Sequence, residues 1–165
     1  MIRRYTLPEM GALWTDKARF EQMLRVELAV SRAQAARGVV PAEALANIEA
    51  RAVVDPERIA EIEKTTDHDV IAFVSQVAER VGPDGRYVHL GLTSSDVVDT
   101  ALALQLRDAG RVLLAATDRL LRTLVGRGPD LETARSAADD AAERVAWPGH
   151  QRRRDIGRLL AGAPR

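Results

Sequence analysis

Cysteine is absent from the 165 residues, which excludes disulfide bonds and thiolate metal sites. Aromatic residues are scarce, at 4%, and alanine and leucine fill most apolar positions, a composition that favours helices over strands. Acidic and basic residues balance, and the formal net charge is +0. We therefore expect neither a nucleic acid nor an anionic membrane surface as a partner, because both attract an excess of positive charge.

Long apolar runs are also missing. No stretch of about 18 apolar residues is present, so the sequence predicts no membrane-spanning helix. The basic residues near the start are not followed by the apolar segment of a signal peptide, and we expect a cytoplasmic protein. Neither an H-E-x-x-H metal motif nor a G-x-x-x-x-G-K-[ST] phosphate loop occurs, so the motifs predict no metal site and no P-loop nucleotide site.

Caps and helix breakers divide the first 92 residues into short helices. Residues 1–14 read as an irregular arm with Pro8 as its clearest breaker, followed by a helix from Thr15 or Asp16 to Gly38. Pro41 suits the first turn of a second helix, and Asp55-Pro56 begins a third, short one.

Residues 64–67 interrupt that pattern. A fourth helix is expected from His68 to Arg80, before a turn at residues 82–85 and an extended link at 87–92. Its inward positions would be Val70, Ile71, Val74 and Val77.

The longest predicted element runs from Ser95 to about Val125, without proline and with one glycine, and would be roughly 45 Å long. Apolar residues cover most of its circumference, so it needs neighbours on several sides. We expect a bundle completed by missing sequence, by other subunits or by both, the alternative being a small monomeric bundle. Residues 128–165 are rich in Ala, Arg and Asp, and we expect a weak helix and a poorly packed tail there.

Two helix starts are rich in polar groups, at residues 65–69 and at residues 93–96. The N-terminus of a helix offers free N–H groups and the positive end of the macrodipole, so either start can bind a phosphate or a carboxylate. The structural alternative is simple capping, by Asp67 at the first and by Ser94 or Ser95 at the second.

His68 and His89 each lie beside one of these starts. A histidine close to the phosphate of a nucleotide can donate a hydrogen bond or carry a proton, and Asp69 could fix the tautomer of His68. The alternative is that both histidines are structural, with their hydrogen bonds satisfied inside the protein.

Three segments resemble those of adenylosuccinate lyases. Residues 4–10 (RYTLPEM) resemble the opening of these enzymes, residues 64–70 (KTTDHDV) a second substrate-binding segment, and residues 89–100 (HLGLTSSDVVDT) a third. Order and spacing also agree, over about residues 1 to 127. Related lyases and carboxymuconate cycloisomerase share part of the last motif, whereas the Arg4-Tyr5 opening points to adenylosuccinate lyase.

The resemblance implies an all-α fold of the fumarase/aspartase type, in which long helices form the central bundle of a homotetramer. It divides this chain into an N-terminal helical domain (1–92), the start of the bundle domain (93–127) and a divergent, poorly ordered tail (128–165). The family cleaves adenylosuccinate to AMP and fumarate, and also cleaves the succinyl-carboxamide ribotide of purine biosynthesis, with no cofactor.

Roles for individual residues also follow only from the resemblance. Arg4 and Tyr5 would hold the nucleotide, chiefly at its phosphate, and His89 would lie close to the substrate. The same nucleotide pocket would be lined by Asp67, His68 and Asp69. A carboxylate of the succinyl group would be bound by Thr93 and Ser94 at the start of the long helix.

The 165 residues depart from the family in one important way. The family's acid is a histidine in a Thr-His segment, its base is a serine on a Gly-Ser-Ser loop, and neither motif is present. His150 does not match, so we assign no catalytic residue and expect a truncated chain that is inactive alone, with a frameshift after Arg127 as the simplest cause. The alternatives are a non-catalytic helical oligomerisation module and a relative of carboxymuconate cycloisomerase.

Overall fold

A computed structural model describes residues 3–124 and 128–144; His150 and the arginines at 152–154 lie outside this part of the chain. Every regular element within it is helical, which confirms the all-α prediction. The chain forms two compact units, Met1–Val112 and Leu113–Arg165. None of the described helices is long and apolar enough to cross a membrane.

The N-terminal arm is more regular than the sequence suggested. A 3₁₀ turn covers Arg3–Tyr5, and a short helix, α1, runs over Pro8–Ala12. Pro8 therefore begins a helix rather than breaking one, because the missing N–H of a proline costs nothing in the first turn. The prediction of an irregular arm is wrong over these residues.

Four helices follow in the first unit, and two of them begin at the caps expected from the sequence. They are α2 (Asp16–Ala36), α3 (Ala42–Arg51), α4 (Pro56–Thr66) and α5 (Asp69–Val81). The hydroxyl of Thr15 accepts a hydrogen bond from the N–H of Ala18, and Asp55 accepts one from the N–H of Arg58, as N-caps do. Helix α4 continues through Thr66, so the interruption expected at residues 64–67 begins only at Asp67.

The core of the first unit is built by α2, α3, α4 and α5 together with the start of the next long helix. Phe20 and Phe73 stack with their ring centroids 5.9 Å apart, and Met23, Ile59 and Val77 are buried around them. Val70 and Val77 face this core as predicted, but Ile71 is 50% exposed. Ile71 follows Val70 directly, and adjacent residues of a helix point about 100° apart, so one of the two must leave the buried face.

The segment between α5 and the next helix is compact rather than extended. A 3₁₀ turn covers Pro83–Tyr87, and a further turn continues through residue 91. His89 and Gly91 both have positive φ, at 64° and 71°, which an extended strand does not allow. The predicted extended link is therefore wrong at Tyr87 and over residues 89–91.

Helix α6 spans Ser94–Leu124, close to the predicted bounds. In the first unit it buries one face, made of Val97, Ala101, Gln105 and Ala109. Leu102 and Leu106 remain 44% and 55% exposed. The second unit contains the last turns of α6 and helix α7 (Leu131–Glu143), which has no buried residue among those described.

Candidate functional site

A small cavity lies where the first turns of α5 and α6 meet the turn at residues 88–91. Its volume is about 110 Å³, and it is lined by Val70, Ile71, Val74, Ser75, His89 and Ser94. A water molecule takes about 30 Å³ in the liquid, so the space suits one phosphate or carboxylate group rather than a whole nucleotide. Two of the predicted binding residues, His89 and Ser94, are thus brought together.

The start of α6 is held by hydrogen bonds from Thr93. Both its backbone N–H and its hydroxyl donate to Oδ2 of Asp96, at 2.8 and 3.0 Å. The backbone hydrogen bond is the main cause of a lowered pKa for Asp96, followed by the hydrogen bond from the hydroxyl of Thr93. Thr93 is therefore occupied within the protein here, whereas Ser94, the first residue of α6, lines the cavity.

The start of α5 differs from the capping that the sequence suggested. Asp67 is the last cap of α4, in the left-handed conformation with φ 48°, and its side chain is exposed. His68 caps α5 instead: its Nδ1 accepts a hydrogen bond of 3.4 Å from the N–H of Ile71. The prediction that Asp67 caps α5 is therefore wrong, because the turn between the helices leaves it one residue too early.

Asp69 is paired with a different partner from the one expected. Its Oδ2 lies 3.2 Å from Nη1 of Arg19, whose guanidinium also stacks over the ring of Phe20. The shortest approach to His68 is 3.8 Å, between Asp69 Oδ1 and Nδ1, too long for a hydrogen bond. Because adjacent side chains at a helix start diverge, Asp69 does not fix the tautomer of His68.

His89 is held by a buried acidic residue that the sequence analysis missed. Glu27 is 2% exposed, and its two carboxylate oxygens contact the backbone N–H of His89 at 2.9 Å and its Nδ1 at 2.6 Å. One signal was available: Glu27 follows Met23 by four residues and Phe20 by seven, so it lies on the apolar stripe of α2. An acidic residue at such a position requires a polar partner.

Arg4 and Tyr5 lie on the 3₁₀ turn of the arm, and both are exposed. The guanidinium of Arg4 lies over the ring of Tyr5, 4.9 Å from its centroid. Neither residue lines the cavity. Among the eight predicted binding residues, the structure thus joins His89 and Ser94 in one cavity and places the other six outside its lining.

A second, larger groove of about 800 Å³ runs between α2 and α6. Apolar side chains such as Val26, Val30 and Leu104 form its floor, with Arg25 and Asp96 among its charged residues. None of the eight predicted binding residues lines it. Over residues 3–124 and 128–144, no group of three or more His, Asp or Glu side chains is arranged to hold a metal ion.

Comparison with known proteins agrees with the motifs. The profile of the family described as Lyase matches residues 3–130. Adenylosuccinate lyase of Synechocystis sp. is 52% identical over 124 residues, which are 75% of this chain and 29% of that enzyme. Adenylosuccinate lyase of Aquifex aeolicus is 50% identical over 127 residues, again 75% and 29%. The chain thus spans less than a third of the length of these relatives.

A solved structure extends the comparison to the fold. The 3-carboxy-cis,cis-muconate lactonizing enzyme from Pseudomonas putida superimposes with a TM-score of 0.67 at 38% sequence identity. The match covers 73% of this chain and 29% of that one. The sequence match to the adenylosuccinate lyases is therefore closer than the match to this enzyme.

Proposed function

Because this chain belongs to the Lyase family, we propose that it supplies part of the substrate pocket of an adenylosuccinate lyase. That enzyme eliminates fumarate from adenylosuccinate, leaving AMP, and from the succinyl-carboxamide ribotide of purine biosynthesis. The observation that carries the proposal is the shared cavity of His89 and Ser94 at the start of α6. Its volume suits one anionic group, and its position at a helix N-terminus favours negative charge.

The remaining predicted residues complete the pocket in this proposal. Ser94 donates a hydrogen bond from its hydroxyl to a succinyl carboxylate, with His89 beside it. His68 lies at the neighbouring start of α5, next to two residues that line the cavity, Val70 and Ile71. Asp67 and Asp69 flank it on the nucleotide side, and Arg4 and Tyr5 reach the phosphate from the arm. Thr93 acts through Asp96, as a support for the start of α6.

The chemistry requires a base that removes a proton next to a carboxylate and an acid that protonates the departing nitrogen. The 165 residues contain neither the Thr-His segment nor the Gly-Ser-Ser loop that provide these groups in the family. We therefore expect the purified 165-residue chain to release no fumarate from adenylosuccinate. Turnover by this chain, followed by the ultraviolet absorbance of fumarate, would show that its catalytic groups lie elsewhere.

A chimeric enzyme tests whether these residues can form the pocket. In the Synechocystis adenylosuccinate lyase, the segment aligned with this chain is replaced by the 124 matching residues of this chain. We expect this chimera to release fumarate from adenylosuccinate, and a Ser94→Ala version to lose at least about tenfold in kcat/KM, since a hydrogen bond to a charged group contributes about 1.5–3 kcal/mol. Full activity of the Ser94→Ala chimera would remove Ser94 from the pocket.

A second candidate is a non-catalytic oligomerisation module. It is favoured by the exposed leucines of α6, Leu102 and Leu106 in the first unit and Leu113, Leu114 and Leu120 in the second. Co-expression with an intact lyase, followed by size-exclusion chromatography, tests it: mixed oligomers without nucleotide binding would favour the module. The proposal of a lyase pocket also includes three predictions: a homotetramer, a cytoplasmic location and the division of the chain into three domains.

A cycloisomerase-like enzyme is the third candidate, favoured by the structural match to the muconate lactonizing enzyme. The two substrates differ, because only adenylosuccinate carries a nucleotide. An AMP titration of the chimera separates them: AMP competes with the substrate of a lyase and leaves a cycloisomerase-like site unaffected.

A further inference from the structure

The turn that carries His89 is fastened to α2 by two side chains. Glu27 contacts His89 through both carboxylate oxygens, and Nε2 of Gln34 donates a hydrogen bond of 2.6 Å to the carbonyl oxygen of Leu90. Glu27 and Gln34 are seven residues apart and so lie on the same face of α2. Helix α2 therefore fixes both the backbone and the ring of His89.

His89 adopts a backbone conformation that non-glycine residues rarely take, with φ 64°. Such a conformation persists only where the surroundings hold it, and it is common at ligand sites. Here the hydrogen bond from the N–H of His89 to Oε2 of Glu27 holds the backbone in place. The conformation also brings Nδ1 of the same residue within 2.6 Å of Oε1.

The carboxylate decides which ring nitrogen carries the proton. An ionised carboxylate only accepts hydrogen bonds, so Nδ1 of His89 must be the donor across the 2.6 Å contact. Nε2 then remains for a ligand; among the described residues it has no hydrogen-bond partner in the structure. Because Glu27 is 2% exposed, water does not compete for its oxygens.

We infer that Glu27 is a positioning residue, which keeps Nδ1 of His89 as the donor to its carboxylate, so that on anion binding the ring takes up a second proton at Nε2 and donates it to the anionic group in the 110 Å³ cavity. This inference rests on the proposed function for the identity of the ligand, but not for the state of the ring. It gives a role to an acidic residue that touches neither the cavity nor the substrate.

The state of the ring is measured directly by long-range ¹⁵N–¹H correlation NMR on the 165-residue chain, whose three histidines are assigned by substitution. We expect neutral His89 in the Nδ1–H form, whereas a histidine in water favours Nε2–H. In Glu27→Gln the tautomer ratio of His89 should shift towards Nε2–H. An amide has one oxygen, so it cannot accept from the backbone N–H and from Nδ1–H through separate oxygens as the carboxylate does. If Glu27→Gln does not fold, the tautomer of the unmodified chain still decides.

Two variants serve as controls. Gln34→Ala removes the other fastening of the same turn, and Glu21→Gln makes the same chemical change at an exposed position of α2. Both should retain the Nδ1–H form. The inference is overturned if the unmodified chain shows neutral His89 as Nε2–H, or if Glu27→Gln and Gln34→Ala give the same tautomer.

Titration with inorganic phosphate and, separately, with succinate tests the ligand side. We expect either anion to bring a proton to Nε2 of His89 and so shift its resonance. The dissociation constant should be about tenfold higher in Glu27→Gln than in Glu21→Gln, because the amide does not offset the charge of the doubly protonated ring and leaves a weaker, neutral donor. If the tautomer depends on Glu27 but neither anion shifts Nε2, the positioning of the ring stands and the proposed anion site fails. An equal dissociation constant in both variants, with binding present, overturns the inference.

Discussion

At the scale of single residues, the start of α6 depends on the contact between Thr93 and Asp96. Asp96 accepts two hydrogen bonds from Thr93, a backbone one and a hydroxyl one, and these lower the pKa of its carboxyl. The carboxylate also lies in the first turn, where the helix dipole favours negative charge. The ionised form of Asp96 is therefore favoured by folding.

This contact predicts a pH-dependent stability. Because the folded-state pKa of Asp96 is below its ordinary value, its stabilising contribution is complete above an unfolded-state pKa of about 3.9 and is lost as the pH falls through the folded-state pKa. We expect Asp96→Asn to have a lower Tm than the unmodified chain at pH 7, and the two Tm values to converge on acidification. Asp99→Asn, at an exposed position of the same helix, is the control. A constant gap between the two Tm values across the pH range would contradict the assignment.

The predicted binding residues also show what a sequence can and cannot reveal at this scale. Ser94 and His89 were found from their motif, and the structure places both in one cavity. Glu27 was not, because its contact joins residues 62 positions apart and depends on how α2 packs on the 88–91 turn. The sequence assigned the cap of α5 to Asp67, whereas His68 caps it, since a shift of one residue in a turn is not encoded in composition.

At the scale of elements, helix boundaries followed closely from local chemistry. Thr15 and Asp55 cap α2 and α4 as their side chains allow, and the absence of proline from residues 94–124 accompanies one continuous helix. The short helix α1 and the turn at 88–91 were missed, because both have backbone conformations set by contacts outside the segment. Gln105 is one such contact: its Nε2 donates 2.7 Å to the carbonyl oxygen of Leu13, just after α1.

The packing of α5 predicts very different costs for two large apolar side chains on the same helix. Phe73 is 0% exposed and stacks on Phe20, whereas Ile71 is 50% exposed. We expect Phe73→Ala to lower the free energy of unfolding by about 3–5 kcal/mol, because it removes buried area and leaves a cavity. Ile71→Ala should cost less than about 1 kcal/mol. Urea denaturation of the first unit measures both, and equal losses would show that α5 packs through another face.

At the scale of the whole molecule, we expect the exposed leucines of α6 to form a surface that associates with other helices. Leu102 and Leu106 are one helical turn apart and stay 44% and 55% exposed, beside a face that is fully buried. The sequence indicated this surplus of apolar surface, but not which residues would be left outside. No described residue buries these two leucines, and we expect another subunit or further sequence to cover them.

The double variant Leu102→Lys/Leu106→Lys tests this surface. Because both positions are exposed, we expect Tm to change little, while like charges one turn apart prevent the association of neighbouring helices. Light scattering coupled to size exclusion should show oligomers of the unmodified chain and a smaller species for the variant. Identical masses for both would show that these two leucines lie in no interface. Leu113→Lys, at the next exposed leucine, then tests whether an interface lies elsewhere along α6.

The most direct test of the proposed pocket is fumarate release by the chimeric lyase that carries 124 residues of this chain. With adenylosuccinate as substrate, we expect clear activity from the chimera. Ser94→Ala should lower its kcat/KM at least about tenfold. The comparison variant is Ser75→Ala, which removes the other hydroxyl of the cavity lining. A chimera that folds, assembles and binds AMP yet loses no activity on Ser94→Ala would contradict a substrate site at the start of α6.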